Sequence, residues 1–106
     1  MAYSKCYIGT EIKLNISVDP IGNTTMDSYN FVVDVFCSPS NIVTLSKKEA
    51  NRVDSNNYTV IVDSTALGVG KVKVKLTAEI PDTTASDGYR TEVVVVDTGI
   101  NIVKAY

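Results

Sequence analysis

The stretch that decides the fold reads Lys71-Val-Lys-Val-Lys-Leu-Thr-Ala-Glu-Ile80, then a loop, then Tyr89-Arg-Thr-Glu-Val-Val-Val-Val96. Its first half alternates apolar and polar residues without interruption. This period of two predicts a strand with one buried and one exposed face. Pro81, Asp82 and Gly88 mark a loop, so the stretch predicts two long antiparallel strands joined as a hairpin.

The register of this hairpin is predicted by matching the two faces of its strands. The faces agree when Ile80 pairs with Tyr89. This register gives a buried face with the pairs Leu76–Val93 and Val74–Val95, and an exposed face with the pairs Glu79–Arg90 and Lys75–Val94. Val94 and Val96 are therefore predicted to point outward, partly covered by lysine stems.

Shorter runs of the same kind occur along the rest of the chain. Strands are predicted at residues 11–18, 29–37, 42–45, 58–62 and 100–103, with a turn or bulge at 97–99. Residues 47–53 predict a short edge strand or a helical turn. Residues 63–70 predict one helical turn, capped by Asp63 or Ser64, with Leu67 in the core and Gly68 ending the turn.

The number and spacing of these elements predict the fold class. Seven or eight short antiparallel strands, with turn signals about every ten residues, are typical of an all-β, single-domain immunoglobulin-like β-sandwich. A closed barrel is the alternative. Residues 1–10 are predicted to form an N-terminal arm, and residues 104–106 a C-terminal tail.

Composition excludes several classes of function. Ten basic and twelve acidic residues give no basic excess, so a nucleic-acid binder is not expected. No apolar run is long enough for a signal peptide or a membrane span. The chain has no histidine, and no other set of residues suggests catalysis, so we expect no catalytic residue, no cofactor and no enzyme activity. Cys6 and Cys37 leave one bridge or two reduced thiols open, with reduced thiols favoured.

Two loops contain the residues best suited to bind Ca²⁺. Asp82 and Asp87 lie in one loop, and Asp19, Asn23 and Asp27 lie in the other. Neither loop has the ligand spacing of an EF-hand, and Asp, Asn, Gly and Ser are the ordinary residues of loops. No metal site is therefore predicted. The loops 19–28 and 81–88 remain the candidate sites of an alternative function, a carbohydrate- or receptor-binding module.

Apolar residues at outward positions suggest contact with other subunits. Val32 and Phe36 occupy the outward side of one predicted strand, and Val94 and Val96 that of another. Lys71, Lys73 and Lys75 are spaced like phosphates along a single strand, but no aromatic residue accompanies them, and an exposed sheet face is the favoured interpretation. The candidate interface residues are Val32, Phe36, Lys73, Lys75, Val94 and Val96.

Two motifs resemble a known family. Tyr58-Thr-Val-Ile-Val-Asp-Ser-Thr-Ala-Leu-Gly-Val-Gly70 ends a strand in "VDS" and continues into "LGVG". The second motif combines Ile80-Pro-Asp82 with Asp87-Gly-Tyr-Arg-Thr-Glu-Val93. Together they resemble small immunoglobulin-like structural proteins of tailed phages of Bacteroides, including crAss-like phages, over residues 11–103.

This resemblance implies a structural role and transfers no functional residue. It implies a non-enzymatic virion subunit assembled in the host cytoplasm, in first place an accessory (auxiliary or decoration) capsid protein. A collar, ring, tail or baseplate component is the alternative. The implied partners are other virion proteins, namely the major capsid protein or collar and tail subunits, with self-association as a further alternative.

Overall fold

A computed structural model describes residues 4–17 and 25–105 of the chain. Most of these residues lie in eight strands: β1 (Ser4–Tyr7), β2 (Glu11–Ser17), β3 (Asn30–Ser38), β4 (Asn41–Ser46), β5 (Asn51–Asp54), β6 (Asn57–Asp63), β7 (Gly70–Pro81) and β8 (Tyr89–Val103). The described helical elements are one turn of α-helix, α1 (Ser64–Leu67), and two 3₁₀ turns, Met26–Ser28 and Lys47–Glu49. None of these helices is long or apolar enough to cross a membrane.

The strands form two separate sheets, which confirms the all-β prediction. One sheet has the order β1-β8-β7-β3-β4 and the other has the order β2-β6-β5. All pairs are antiparallel except β1 with β8, which is parallel. The prediction of antiparallel strands alone is therefore wrong for β1. The arm predicted at residues 1–10 contains this strand, which sequence reasoning missed because Ser4-Lys-Cys-Tyr7 has no apolar alternation.

The core confirms the alternation of the strongest strands. In β2 and β7 every second side chain is buried in the core between the two sheets. The alternate side chains of these strands are exposed, except that of Thr77, which is half-buried. Phe31 of β3 packs edge-to-face on Tyr58 of β6, with ring centroids 5.1 Å apart. The buried apolar residues are Ile12, Leu14, Ile16, Met26, Tyr29, Phe31, Val33, Val35, Tyr58, Val60, Val62, Leu67, Val72, Val74, Leu76, Ala78, Ile80 and Ile102.

The short helical elements follow the predicted capping chemistry. The Asp63 carboxylate accepts a hydrogen bond from the Thr65 amide at 2.9 Å and so begins α1. Leu67 fills the core, and Gly68, with φ of +80°, ends the turn in a conformation that favours glycine. Residues 47–53 contain both predicted alternatives, because the 3₁₀ turn at Lys47–Glu49 leads into the edge strand β5.

The hairpin forms as predicted, but its register is shifted by one residue. Pro81 lies opposite Tyr89, and consequently Glu79 faces Thr91 and Lys75 faces Val95. The core-facing pairs are Leu76–Val94 and Val74–Val96. A shift of one residue exchanges the two faces of a strand. Val94 and Val96 therefore lie on the core-facing side, and Val93 and Val95 lie on the outer side, opposite to the prediction.

A bulge and a loop hold this register. The predicted bulge near residues 97–99 is present. Lys71 pairs with Asn101 and Lys73 pairs with Asp97, so one residue of β7, Val72, lies opposite three residues of β8, 98–100. The Thr98 hydroxyl donates to the Val72 carbonyl at 2.8 Å, and Gly99 takes φ of +77°. At the other end, the Asp82 amide donates to the Gly88 carbonyl at 2.9 Å and closes the hairpin loop.

Candidate interaction site

Strand β8 exposes an edge along most of its length. Its fifteen residues, at about 3.3 Å each, extend for roughly 50 Å, which is close to the longest dimension of the molecule, 53 Å. Within the described chain, β7 pairs with one side of β8 from Tyr89 onward, whereas β1 pairs with its other side only from Ile100 to Val103. Residues 89–96 therefore form a strand edge with no partner strand among the described residues, and such an edge is a template for pairing with another chain.

Four consecutive valines lie on this edge, and all four are exposed. Their exposed fractions are 52% for Val93, 40% for Val94, 58% for Val95 and 52% for Val96. Val93 and Val95 are exposed because they lie on the outer face of the sheet. Val94 and Val96 lie on the core-facing side of the sheet. They are exposed for a different reason, namely the order of the strands in the two sheets.

The three-stranded sheet ends one strand short of β8. One of its edge strands is β2, and Leu14 and Ile16 of β2 line the same groove as Val74 and Leu76 of β7. In the five-stranded sheet β8 lies beyond β7, and the described part of the opposite sheet has no strand beyond β2. The core-facing side of β8 around Val94 consequently borders an open groove rather than a packed strand.

This groove has a volume of about 570 Å³ and is mainly apolar. The groove opens to solvent, so it is a feature of the surface and not an enclosed void in the core. Its lining residues are Lys13, Leu14, Asn15, Ile16, Ser17, Val74, Leu76, Val94, Val96, Asp97 and Thr98.

The other interface candidates lie on the outer face of the five-stranded sheet. Phe36 is half-buried between Ile42 of β4 and Lys73 of β7, and Val32 lies between Ser46 and Thr77. Strands β3 and β8 belong to the same sheet, so all of these interface candidates lie on one sheet. The outer face joins Val32, Phe36, Lys73 and Lys75 with Val93 and Val95.

Acidic residues flank the lysine stripe. Lys73 lies opposite Asp97 of β8, and Lys75 lies opposite Asp34 of β3. The Asp34 carboxylate also accepts a 2.6 Å hydrogen bond from the Thr44 hydroxyl. A run of alternating charges does not attract a polyanion as a uniform basic track does. The arrangement favours the interpretation of the stripe as an ordinary exposed sheet face.

The acidic residues of the 81–88 loop stabilise the loop itself. The Asp82 carboxylate accepts hydrogen bonds from the Thr84 hydroxyl at 2.6 Å and the Thr84 amide at 2.9 Å, and it pairs with Arg90 at 3.3 Å. The Thr84 hydrogen bonds hold the pKa of Asp82 below its ordinary value of 3.8. Asp87 accepts a hydrogen bond from the Tyr89 amide. Both carboxylates are thus used in forming the turn.

Asp27, of the 19–28 loop, belongs to a cluster that sequence reasoning missed. Arg52 donates from Nε to Asp27 Oδ1 at 2.9 Å and from Nη2 to Asp27 Oδ2 at 2.8 Å. The Tyr58 hydroxyl donates to Oδ1 of the same carboxylate. These bonds, first from Arg52 and then from Tyr58, lower the pKa of Asp27 from 3.8 to about 2. The 25 residues or more that separate these partners leave no local signal in the sequence.

The remaining calcium candidates, Asp19 and Asn23, lie outside the described residues. Within residues 4–17 and 25–105, no group of three or more His, Cys, Asp or Glu side chains is placed to hold a metal ion.

The two cysteines are free and lie apart. Cys6 lies on β1 and Cys37 lies on β3, and the strands β8 and β7 separate them. Across the sheet, Cys6 pairs with Ile102, Ile102 pairs with Gly70, and Gly70 lies next to Cys37. Three strand spacings place the two residues roughly 14 Å apart, whereas the Cα atoms of a disulfide lie within about 7 Å. The favoured prediction of two thiols therefore agrees with the fold. Burial raises the pKa of the Cys37 thiol.

Comparison of the chain with protein-family models, with curated proteins and with solved structures finds no match in any of the three.

Proposed function

We propose that this protein is a non-enzymatic structural subunit of a tailed-phage virion, in first place an accessory capsid protein. The observation that carries the proposal is the exposed edge of β8, with its four valines at positions 93–96. The resemblance of the two sequence motifs to phage structural proteins is the reason for assigning this subunit to a virion.

The edge supports an assembly role because folded proteins normally protect such an edge. Exposed edge strands carry lysines, prolines or inward charges that prevent pairing with other chains. From Val93 to Val96 this edge has none of these, and its lysines lie on the neighbouring strand β7. A continuous apolar run on both faces is typical of a strand that is covered on both sides. The assembly provides that cover.

The finer fold assignment, an immunoglobulin-like sandwich, belongs to the same proposal. The order β8-β7-β3-β4 opposite β2-β6-β5 matches strands G-F-C-C′ opposite B-E-D of such a domain. The parallel pairing of β1 with β8 extends the G-containing sheet. Because this architecture serves many functions, the fold supports the proposed role only in combination with the exposed edge.

The proposal is tested on phage particles from a host culture in which the coding sequence is expressed. Mass spectrometry of purified particles is expected to find this chain at a fixed stoichiometry, and electron microscopy to place its density on the capsid surface. Density at the collar or tail would replace the accessory capsid role by the alternative. Absence from the particles, together with a monodisperse monomer that does not bind capsid or tail subunits, would refute the proposal.

A further inference from the structure

Strand β1 fills the last position of the five-stranded sheet with little of its own surface buried. It pairs in parallel with Ile100–Val103 of β8, and of its four side chains only Cys6 is half-buried. Cys6 packs against the core opposite Ile102, which is fully buried. Parallel pairing is slightly less stable per residue than antiparallel pairing. The core therefore needs a strand beside Ile102, but a strand of four residues is easily released from that position.

A short turn, residues 8–10, joins β1 in one sheet to β2 in the other. Gly9 in this turn has φ of +100°, a conformation that favours glycine. The Thr10 amide donates to the Tyr7 carbonyl at 3.1 Å. The Gly9 amide donates to the hydroxyl of the buried Ser64 at 2.8 Å. The closed form of this turn therefore keeps β1 on the sheet of its own chain.

We infer that β1 exchanges between two copies of this chain, so that β1 of each copy pairs with Ile100–Val103 of the other. The turn at residues 8–10 straightens in the exchanged form, and reciprocal exchange closes a two-fold dimer. The inference goes beyond the virion role, because it names a second copy as a partner and the element that joins the two copies. Exchange is a property of the isolated protein and does not depend on that role.

The pairing of β1 with β8 is the reason for choosing a second copy as the partner. The register from Ser4–Ile100 to Tyr7–Val103 already exists within one chain, so β1 of a second copy fits the same position. Because β1 makes the same contacts in both forms, the turn and the association of two molecules set the equilibrium. Short connections that hold the chain in a bent conformation favour such exchange.

Gly9 makes the exchange dependent on protein concentration. Since glycine adopts positive φ without strain, the closed turn keeps its hydrogen bonds at no cost in backbone energy. The monomer therefore predominates in dilute solution, and the exchanged dimer forms as the concentration rises. A side chain at position 9 would strain the closed turn and leave the straightened turn unaffected.

Cross-linking between two copies of the full chain tests the exchange directly. Both copies carry Cys6→Ser and Cys37→Ser. One copy then carries Lys5→Cys and the other carries Asn101→Cys, at positions that face each other in the register of β1 with β8. Adjacent strands lie about 4.8 Å apart, within the range of a disulfide. After mixing at high concentration under reducing conditions, followed by oxidation, we expect a covalent heterodimer in the intact mass spectrum.

Two controls identify the origin of this cross-link. A copy with Thr91→Cys, exposed on β8 outside the β1 position, should cross-link to the Lys5→Cys copy at least tenfold more slowly. In a single chain that carries both Lys5→Cys and Asn101→Cys, an internal bridge fixes β1 on its own sheet. This bridged form should remain monomeric at concentrations at which its reduced form dimerises.

Gly9→Ala and Gly88→Ala separate the effect of the turn from a general loss of stability. The two glycines have φ of +100° and +85°, and an added Cβ would meet nothing within 4 Å at either position. Both substitutions therefore strain the backbone without a clash, but exchange relieves the strain only at Gly9. Sedimentation equilibrium is expected to show a dimer dissociation constant at least tenfold lower for Gly9→Ala and within about twofold of the wild type for Gly88→Ala.

The inference is overturned if the Lys5→Cys copy cross-links to the Asn101→Cys copy no faster than to the Thr91→Cys copy. Dimerisation of the internally bridged chain to the same extent as its reduced form, or equal effects of Gly9→Ala and Gly88→Ala, would overturn it too. The cross-linking rates use the wild-type turn, so they do not depend on the folding of the glycine variants. Failure of exchange by a chain that is present on particles refutes this inference and not the virion role.

Discussion

Val94 lies directly opposite Leu76 on the core-facing side of the β7–β8 pair, yet 40% of Val94 is exposed and only 8% of Leu76. The difference arises because Leu76 belongs to the buried core, whereas Val94 is not part of that core and lines the open groove between β2 and β8. Removal of apolar area from water is favourable. The uncovered valines are consecutive in sequence and thus form a contiguous apolar surface that a partner could cover.

The register that places Val94 opposite Leu76 can be tested by engineered disulfides. In a Cys6→Ser, Cys37→Ser background, we expect Thr77→Cys with Val93→Cys to form a bridge on oxidation, since these residues face each other. Opposite residues in antiparallel strands have Cα atoms about 4.5–5.5 Å apart, within the range of a disulfide. Intact mass spectrometry under native conditions measures the bridge.

The control for this experiment is the pair Thr77→Cys with Glu92→Cys, which the register of the sequence prediction would place together. The two residues point to opposite faces in the structure, so we expect this pair to remain reduced. Preferential bridging of the control pair would show that the strand is shifted by one residue and that Val94 faces outward.

This register error shows how far the sequence could predict the fold. In β7 the alternation of Lys with Val and Leu identifies the buried face, and the structure agrees. The run Val93–Val96 has no such alternation, so both registers bury valines equally well and the sequence cannot choose between them. The bulge at 98–100 and the loop at 82–88 decide which valines face the core. No local sequence pattern specifies the lengths of these two segments.

The candidate site was predictable only in part for the same reason. The sequence predicts an exposed apolar surface on this strand but assigns it to Val94 and Val96. The exposure of Val93 and Val95, which were expected in the core, was not predicted. The groove depends on the sheet order, which makes β2 an edge strand and brings residues of β2, β7 and β8 to one groove. That order arises from pairing between distant segments, and so neither Leu14 nor Ile16 could be assigned to the site from the sequence.

Leu67 tests the packing of α1 into the core. The side chain is 1% exposed, and Leu67→Ala is expected to lower the free energy of unfolding by about 2–5 kcal/mol, because it removes apolar contacts and leaves a cavity. Val69→Ala, two residues away and 53% exposed, should change it by less than about 0.5 kcal/mol. Urea denaturation measures both. Equal effects would mean that Leu67 does not fill the core.

Asp27 predicts a specific dependence of stability on pH. Its pKa is lowered from 3.8 to about 2 in the folded state, so the folded protein binds this proton less readily than the unfolded chain. The contribution of Asp27 to the free energy of unfolding is therefore complete above pH 3.8 and is lost as the pH falls through about 2. Asp54 and Asp82 also have lowered pKa values. The difference between wild type and Asp27→Asn therefore isolates the Asp27 contribution, which should shrink over this range.

NMR titration of the carboxyl groups provides the direct check on Asp27. Arg52 is the main cause of its low pKa, so Arg52→Gln should move the titration of Asp27 upward towards 3.8. Titration of Asp27 near 3.8 in the wild-type protein would contradict the bidentate contact with Arg52.

The cysteines predict two reduced thiols with different reactivity. Under mild oxidation the intact mass should remain that of the dithiol form, because the β8 and β7 strands separate Cys6 from Cys37. A maleimide reagent should label Cys37 slowly, since burial raises its pKa and the thiolate is the reactive form. A loss of two hydrogens in the folded monomer would contradict the strand order.

Amide hydrogen exchange of β8 in the free chain and in the assembled particle tests the central claim most directly. Within the described chain, the unpaired edge at residues 89–96 predicts rapid exchange of those β8 amides that do not bond to β7. On assembly we expect these amides to exchange at least tenfold more slowly. Unchanged exchange on β8, with protection elsewhere on the surface, would show that assembly uses a different face and would contradict the account.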